Sequence, residues 1–93
     1  MNSIQFTNDW FSNRIPCWDV IFSTMPTLKN FLEIGSYEGR SACYTIMKAQ
    51  ENSSITCIDV WSDQESEKRF DENTRITRKN SNKNITINKI KSK

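Results

Sequence analysis

The stretch Phe31-Leu32-Glu33-Ile34-Gly35-Ser36-Tyr37-Glu38-Gly39-Arg40-Ser41 constrains the fold of this chain more than any other. Phe31 to Ile34 sets apolar residues around one acid and reads as a buried strand. The chain then turns on Gly35 and Gly39, its only 2 glycines, and a helical run opens at Arg40 or Ser41. Glycine tolerates positive φ and lets a ligand approach bare backbone. A strand, a glycine turn and a helix N-terminus together aim N–H groups at an anionic or polar ligand. The spacing E-x-G-x-x-x-G is not the dinucleotide fingerprint G-x-G-x-x-G, since Tyr37 holds the middle position, and no Gly-Lys-Ser/Thr follows as in a P-loop.

Two more strand signals follow. Ser54 to Val60 is expected to be a strand with Ile55, Cys57 and Ile58 inward, and Ile85-Thr86-Ile87-Asn88-Lys89-Ile90 alternates strictly. Helical spacing predicts helices over 40–50 and 66–77, the second highly charged with Phe70 and Ile76 as its few apolar contacts. Trp18, Ile21, Phe22 and Met25 predict a short helix over 16–24, begun at Pro16 and ended by Pro26. Residues 1–13 read as loose with Trp10 and Phe11 as anchors, and 79–84 as a polar turn. Interleaved strand and helix periods imply an α/β fold with a parallel sheet of three strands, 31–34, 54–60 and 85–90, joined by crossovers. The chain divides into an N-terminal extension and helix (1–30), a strand–loop–helix–strand unit (31–61), and a helix with a third strand and basic end (62–93).

Glu33-Ile34-Gly35-Ser36-Tyr37-Glu38-Gly39-Arg40-Ser41-Ala42 resembles the first motif of class I S-adenosylmethionine-dependent methyltransferases. It is most similar to small O-methyltransferases of the catechol type and to methyltransferase family 24. Ile55-Thr56-Cys57-Ile58-Asp59 resembles that fold's second strand, which ends in an acid. The likeness runs from about Phe31 to Trp61. It implies a Rossmann-like class I methyltransferase fold, truncated here to about three of its seven parallel strands with flanking helices.

The same resemblance implies S-adenosylmethionine as cofactor, with Glu33 near the methionine moiety or the loop N–H groups. It sets Gly35, Ser36, Tyr37 and Gly39 in the binding loop, Ser41 on the cofactor carboxylate, Asp59 on the ribose hydroxyls and Trp61 near the adenine. Structural readings stand beside these. Glu33 could pair with a surface lysine, Ser41 could cap the helix, Asp59 could cap the next turn and Trp61 could close the core edge. Arg40 faces either the cofactor carboxylate or solvent. No catalytic base is nameable, because substrate and base come largely from the second half of the resembling fold. The acceptor is expected to be a small or sugar-like molecule. The alternatives are a non-catalytic remnant or nucleotide-binding module, and a basic-tailed nucleic-acid module.

Composition trims these options. With 93 residues and 35% apolar content, one domain with a marginal core is the most the chain can build, so self-association or a missing C-terminal half is expected. The formal net charge of +2 names no partner. The acid-free run from Thr74 to Lys93 is basic but has no interleaved aromatic residue, which disfavours a single-strand nucleic-acid site. The 3 cysteines (Cys17, Cys43 and Cys57) are far apart and the chain has no histidine, so a zinc site is not expected. No signal peptide or membrane-length apolar run is present, so a cytoplasmic protein without membrane contact is expected.

Overall fold

A computed structural model describes residues 4–25 and 27–92. A 3-10 turn (Ser12–Arg14) leads into α1 (Ile15–Thr24). The order then runs β1 (Asn30–Ile34), α2 (Arg40–Lys48), β2 (Ser54–Asp59), α3 (Gln64–Ser81) and β3 (Thr86–Lys91). The strands form one parallel sheet in the order β1-β2-β3. Phe31 lies opposite Ile55, which lies opposite Ile87. This is the expected architecture: an open Rossmann-like sheet of three strands.

One apolar cluster holds it together. Ala42, Ile46 and Ala49 from α2 and its end meet Ile55 and Cys57 of β2, Trp61, Phe70 of α3, and Ile85, with Phe31 and Ile87 against its margin. Every one of these strand positions belongs to a single face of the pleat, since side chains alternate along a strand. Among the described residues no helix covers the other face. Leu32 and Ile34 are 66% and 77% exposed and Ile90 is 49% exposed. The expectation of a buried first strand is therefore corrected: β1 is half-buried, and on one side only. Ile58, expected inward, falls out of phase with Ile55 and Cys57 and is half-buried on the bare side.

Several boundaries move. α3 runs from Gln64 to Ser81 rather than over 66–77. Asp63 caps its start, accepting from Glu65 N at 3.0 Å, while Arg78 and Lys79 sit in the last turn, where cations suit the helix dipole. Asn82 closes it in the left-handed region at φ 57°. The first half of the expected turn over 79–84 is thus helix. α2 ends at Lys48, β2 stops at Asp59, and β3 begins one residue later than expected. In α1 the ring of Trp18 meets Phe11 and Phe22, and Phe22 meets Phe31 and Tyr44. Ile21 and Met25 stay exposed, so the helix buries a narrower stripe than its spacing suggested. The helix-ending role given to Pro26 lies outside the described residues.

The N-terminal segment is not loose from Gln5 onward. Gln5 N donates to Asn73 Oδ1 at 2.9 Å and Asn73 Nδ2 returns a bond to Gln5 O at 2.8 Å. Phe11 is buried to 7%, so it is the anchor expected, whereas Trp10 remains 68% exposed.

Candidate functional site

β1 delivers Glu33 and Gly35 to the carboxyl end of the sheet. Gly35 N donates to Ile58 O at 2.7 Å, so the glycine still belongs to the sheet's hydrogen-bond ladder as the chain turns away. The turn needs three left-handed residues: Gly35 at φ 85°, Tyr37 at φ 46° and Gly39 at φ 84°. Gly39 N closes it on Ser36 O at 2.8 Å, and Cys43 N then bonds Gly39 O to start α2.

The two glycines are required for different reasons. A Cβ on Gly39 would lie 3.0 Å from Phe70 Cδ2 and 3.3 Å from Thr74 Cγ2, so this glycine lets α3 press against the loop. A Cβ on Gly35 would meet nothing within 4 Å. Gly35 is where backbone lies open to an incoming molecule. Two clefts meet there. One, of about 170 Å3, runs past Trp10, Ser36, Tyr37 and Ser41. The other, of about 230 Å3, runs past Ile34, Asp59 and Val60.

Glu33 supplies the electrostatic feature of the site. Its Oε2 accepts from the Ser41 hydroxyl, while Oε1 is buried without a partner. Burial pushes this carboxyl above the usual carboxylate range, and the charge of Asp59 adds to the effect. The neighbouring hydroxyls of Ser41 and Ser36 pull the other way. Ser36 is itself buried to 3%, and its Oγ stands close to the carboxylate without hydrogen-bond geometry to it or to any other group. A buried carboxyl oxygen and a buried hydroxyl thus flank the glycine turn unpaired, an arrangement that costs free energy in the empty protein.

Asp59 braces the loop. Its Oδ2 accepts from Tyr37 N at 2.8 Å and its Oδ1 from Trp61 N at 2.9 Å. The turn-capping reading of this acid is therefore realised, and one lone pair on each oxygen remains for a further donor. Trp61, at φ 42°, is buried to 2% against Phe70 with ring centroids 4.8 Å apart, and its Nε1 donates to Tyr37 O at 2.7 Å. The indole closes the core edge and acts on the loop by fixing the Tyr37 carbonyl. Arg40 is partly exposed on the wall of the first cleft, but its guanidinium is engaged with the N-terminal segment. It reaches back to Ser12 Oγ at 2.7 Å and to Asp9 at 3.4 Å.

Three contributors were missed by sequence reasoning. Glu38 is 2% exposed and accepts from Thr7 N at 2.7 Å and Thr7 Oγ1 at 2.8 Å, with Arg69 at 3.6 Å. Asn73, also buried, donates to Glu38 O at 2.9 Å. Trp10 stacks on Tyr37 with ring centroids 5.1 Å apart. An acid inside a tight glycine loop was the one visible signal, and its partners lie 31 residues away on either side, beyond the reach of local pattern. Cys43 and Cys57 pack in the core as expected. Burial raises their thiols to about 11 and about 12, which leaves them inert at neutral pH. No cluster of potential metal ligands occurs among the described residues, nor is any helix there long and apolar enough to cross a membrane.

No protein-family model and no curated protein matches the chain. Among solved structures, it is similar to a crystal structure from Klebsiella pneumoniae described as a "putative O-methyltransferase". The TM-score is 0.66 at 15% identity, over 90% of this chain and 36% of that one. At that identity the likeness shows the fold, which is methyltransferase-like, and this chain spans about a third of the neighbour's length.

Proposed function

We propose that this chain provides the cofactor-binding part of a S-adenosylmethionine-dependent methyltransferase that acts on a small or sugar-like acceptor. The observation that carries the reading is the open backbone at Gly35, on the carboxyl end of β1 where two clefts meet. The residues around it fit an elongated zwitterionic ligand. The unpartnered Glu33 Oε1 suits an ammonium group, and it is the one acid at the turn that has no second donor. The spare lone pairs of Asp59 suit a pair of hydroxyls, each charge-assisted bond contributing about 1.5–3 kcal/mol. The N-terminus of α2 suits a carboxylate, with Ser36 and Ser41 beside it.

When bound, S-adenosylmethionine supplies a methyl group from a sulfonium centre, open to in-line attack. This chain's part is to hold and orient. Gly35 leaves room, Glu33 and Asp59 fix the two ends, and the Asp59–Tyr37–Trp61 brace sets the loop before the ligand arrives, so little ordering cost remains at binding. Orientation of this kind accounts for about 7–11 kcal/mol of barrier lowering at best. The methyl acceptor and any general base are not assigned to residues of this chain.

The test is calorimetry with S-adenosylhomocysteine on the wild type and on Gly35→Ala. The added methyl has free space in the empty protein, so its stability cost is the left-handed backbone alone, about 1 kcal/mol. Wild type is expected to bind, and Gly35→Ala to bind at least tenfold more weakly with a small drop in melting temperature. A wild type that takes up no ligand at millimolar concentration rejects the reading. Equal affinity in the two proteins rejects Gly35 as the place of approach.

A further inference from the structure

Buried polar atoms without partners sort into places. Two of them, on Glu33 and Ser36, flank the glycine turn. One more, Thr77 Oγ1, belongs to a residue on a different cavity. That cavity, of about 400 Å3, lies behind α2, between the N-terminal segment and the outer side of α3. Its walls include Phe6, Phe11, Tyr44 and Met47, and it shares Phe11 and Arg40 with the first cleft at the glycine turn. The volume lies within the ordinary range for small-molecule sites, and a mostly apolar lining with few polar groups is their usual composition.

We infer that this cavity is a binding site for a small neutral aromatic molecule carrying one hydroxyl or carbonyl group. Thr77 is 3% exposed, and its hydroxyl stands beside the Cys43 thiol without hydrogen-bond geometry to it. A thiol is a weak partner, and a ligand with a matching polar atom removes the cost of the poorly paired hydroxyl. Arg40 decides the ligand's charge. Its guanidinium already faces Asp9 at 3.4 Å, lies over the Phe6 ring at 5.1 Å and donates to Ser12. With the positive charge offset, an acid gains little there and loses its hydration. With Nε turned to Asp9, the Thr77 hydroxyl, donor and acceptor at once, is the polar group left to meet the ligand, and Phe6, Phe11 and Tyr44 supply ring surfaces to receive an aromatic body.

Three probes of one shape separate the contributions: 2-naphthol, naphthalene and 2-naphthoate, titrated against the full chain and followed by amide chemical shifts. Naphthol is expected to saturate with shifts centred on Cys43, Met47, Thr77 and Asn80, and to bind at least threefold more tightly than either other probe. Thr77→Val is expected to act in two directions at once. It raises the melting temperature of the free protein, because a buried hydroxyl with only a thiol beside it is gone, and it reduces naphthol affinity to that of naphthalene. Equal binding of all three probes, or shifts gathered around Gly35, overturns the proposal. So does a Thr77→Val protein that melts lower than wild type, because the hydroxyl would then have a partner inside the fold.

Discussion

Glu33 shows how one side chain can be set against the stability of its own fold. Its carboxyl sits on a strand whose neighbours are apolar, has one oxygen on Ser41 and one on nothing, and holds its proton to higher pH than in the unfolded chain. Below the unfolded value both states are protonated and the residue is neutral in its effect. As pH rises the unfolded state ionises first, so the folded state loses ground until it too gives up the proton. Glu33→Gln removes that slope. Melting temperatures of the two proteins are expected to diverge in favour of the variant as pH rises above the ordinary carboxylate value of 4.5, with the gap narrowing again in acid. Parallel curves would mean that the carboxylate is satisfied in the folded chain. Glu33 and the two glycines were legible in sequence because they lie within one short stretch. Glu38 was not, because what makes it matter is Thr7 and Arg69, distant in the chain. Gly39 was legible as a glycine but not in its reason, since only the packed structure brings Phe70 against it.

At the scale of elements, α3 carries few apolar side chains for its length and depends on its ends. Asp63 accepts from Glu65 N, and Ser66 Oγ returns a bond to Asp63 O at 2.8 Å. Asp63→Ala is expected to cost about 1 kcal/mol, or about 4–8 °C in melting temperature for a domain of this size. A scanning-calorimetry difference inside error would show that α3 is held by its packing face alone. The order of strands and helices was readable because strand and helix periods alternate cleanly along the chain. The extent of α3 was not: Lys79 to Ser81 look like turn material by composition, yet they continue the helix because cations are favoured in a last turn and Asn82 can adopt the left-handed cap. Periodicity also could not say that only one face of β1 would be covered. A run of apolar residues is equally what a strand buried on both sides would show, and which side receives helices is a property of the whole sheet.

For the whole molecule that uncovered side is the dominant fact. The chain is compact, with a radius of gyration of 12.7 Å against about 12 Å expected for its length, yet Leu32, Ile34 and Ile90 face solvent on one surface. Apolar patches of this kind on a sheet with an open edge favour association. Sedimentation is expected to show mass rising with concentration for the wild type, and a monomer for the double variant Leu32→Lys, Ile34→Lys. A wild type that stays monomeric at high micromolar concentration would show that the patch is too small to drive contact. The ladder at β1 carries a further consequence. Ser54 N bonds to Lys29 O and Gly35 N to Ile58 O, which fixes the phase of the parallel pairing: Phe31 and Glu33 turn their amides toward β2, and Leu32 and Ile34 turn theirs to the open edge. In deuterated water these neighbours should part company, Phe31 and Glu33 keeping their protons while Leu32 and Ile34 exchange at nearly the rate of a free peptide. Anything that later lays a strand along β1 would slow those two amides alone, a two-residue signature of the sheet being extended.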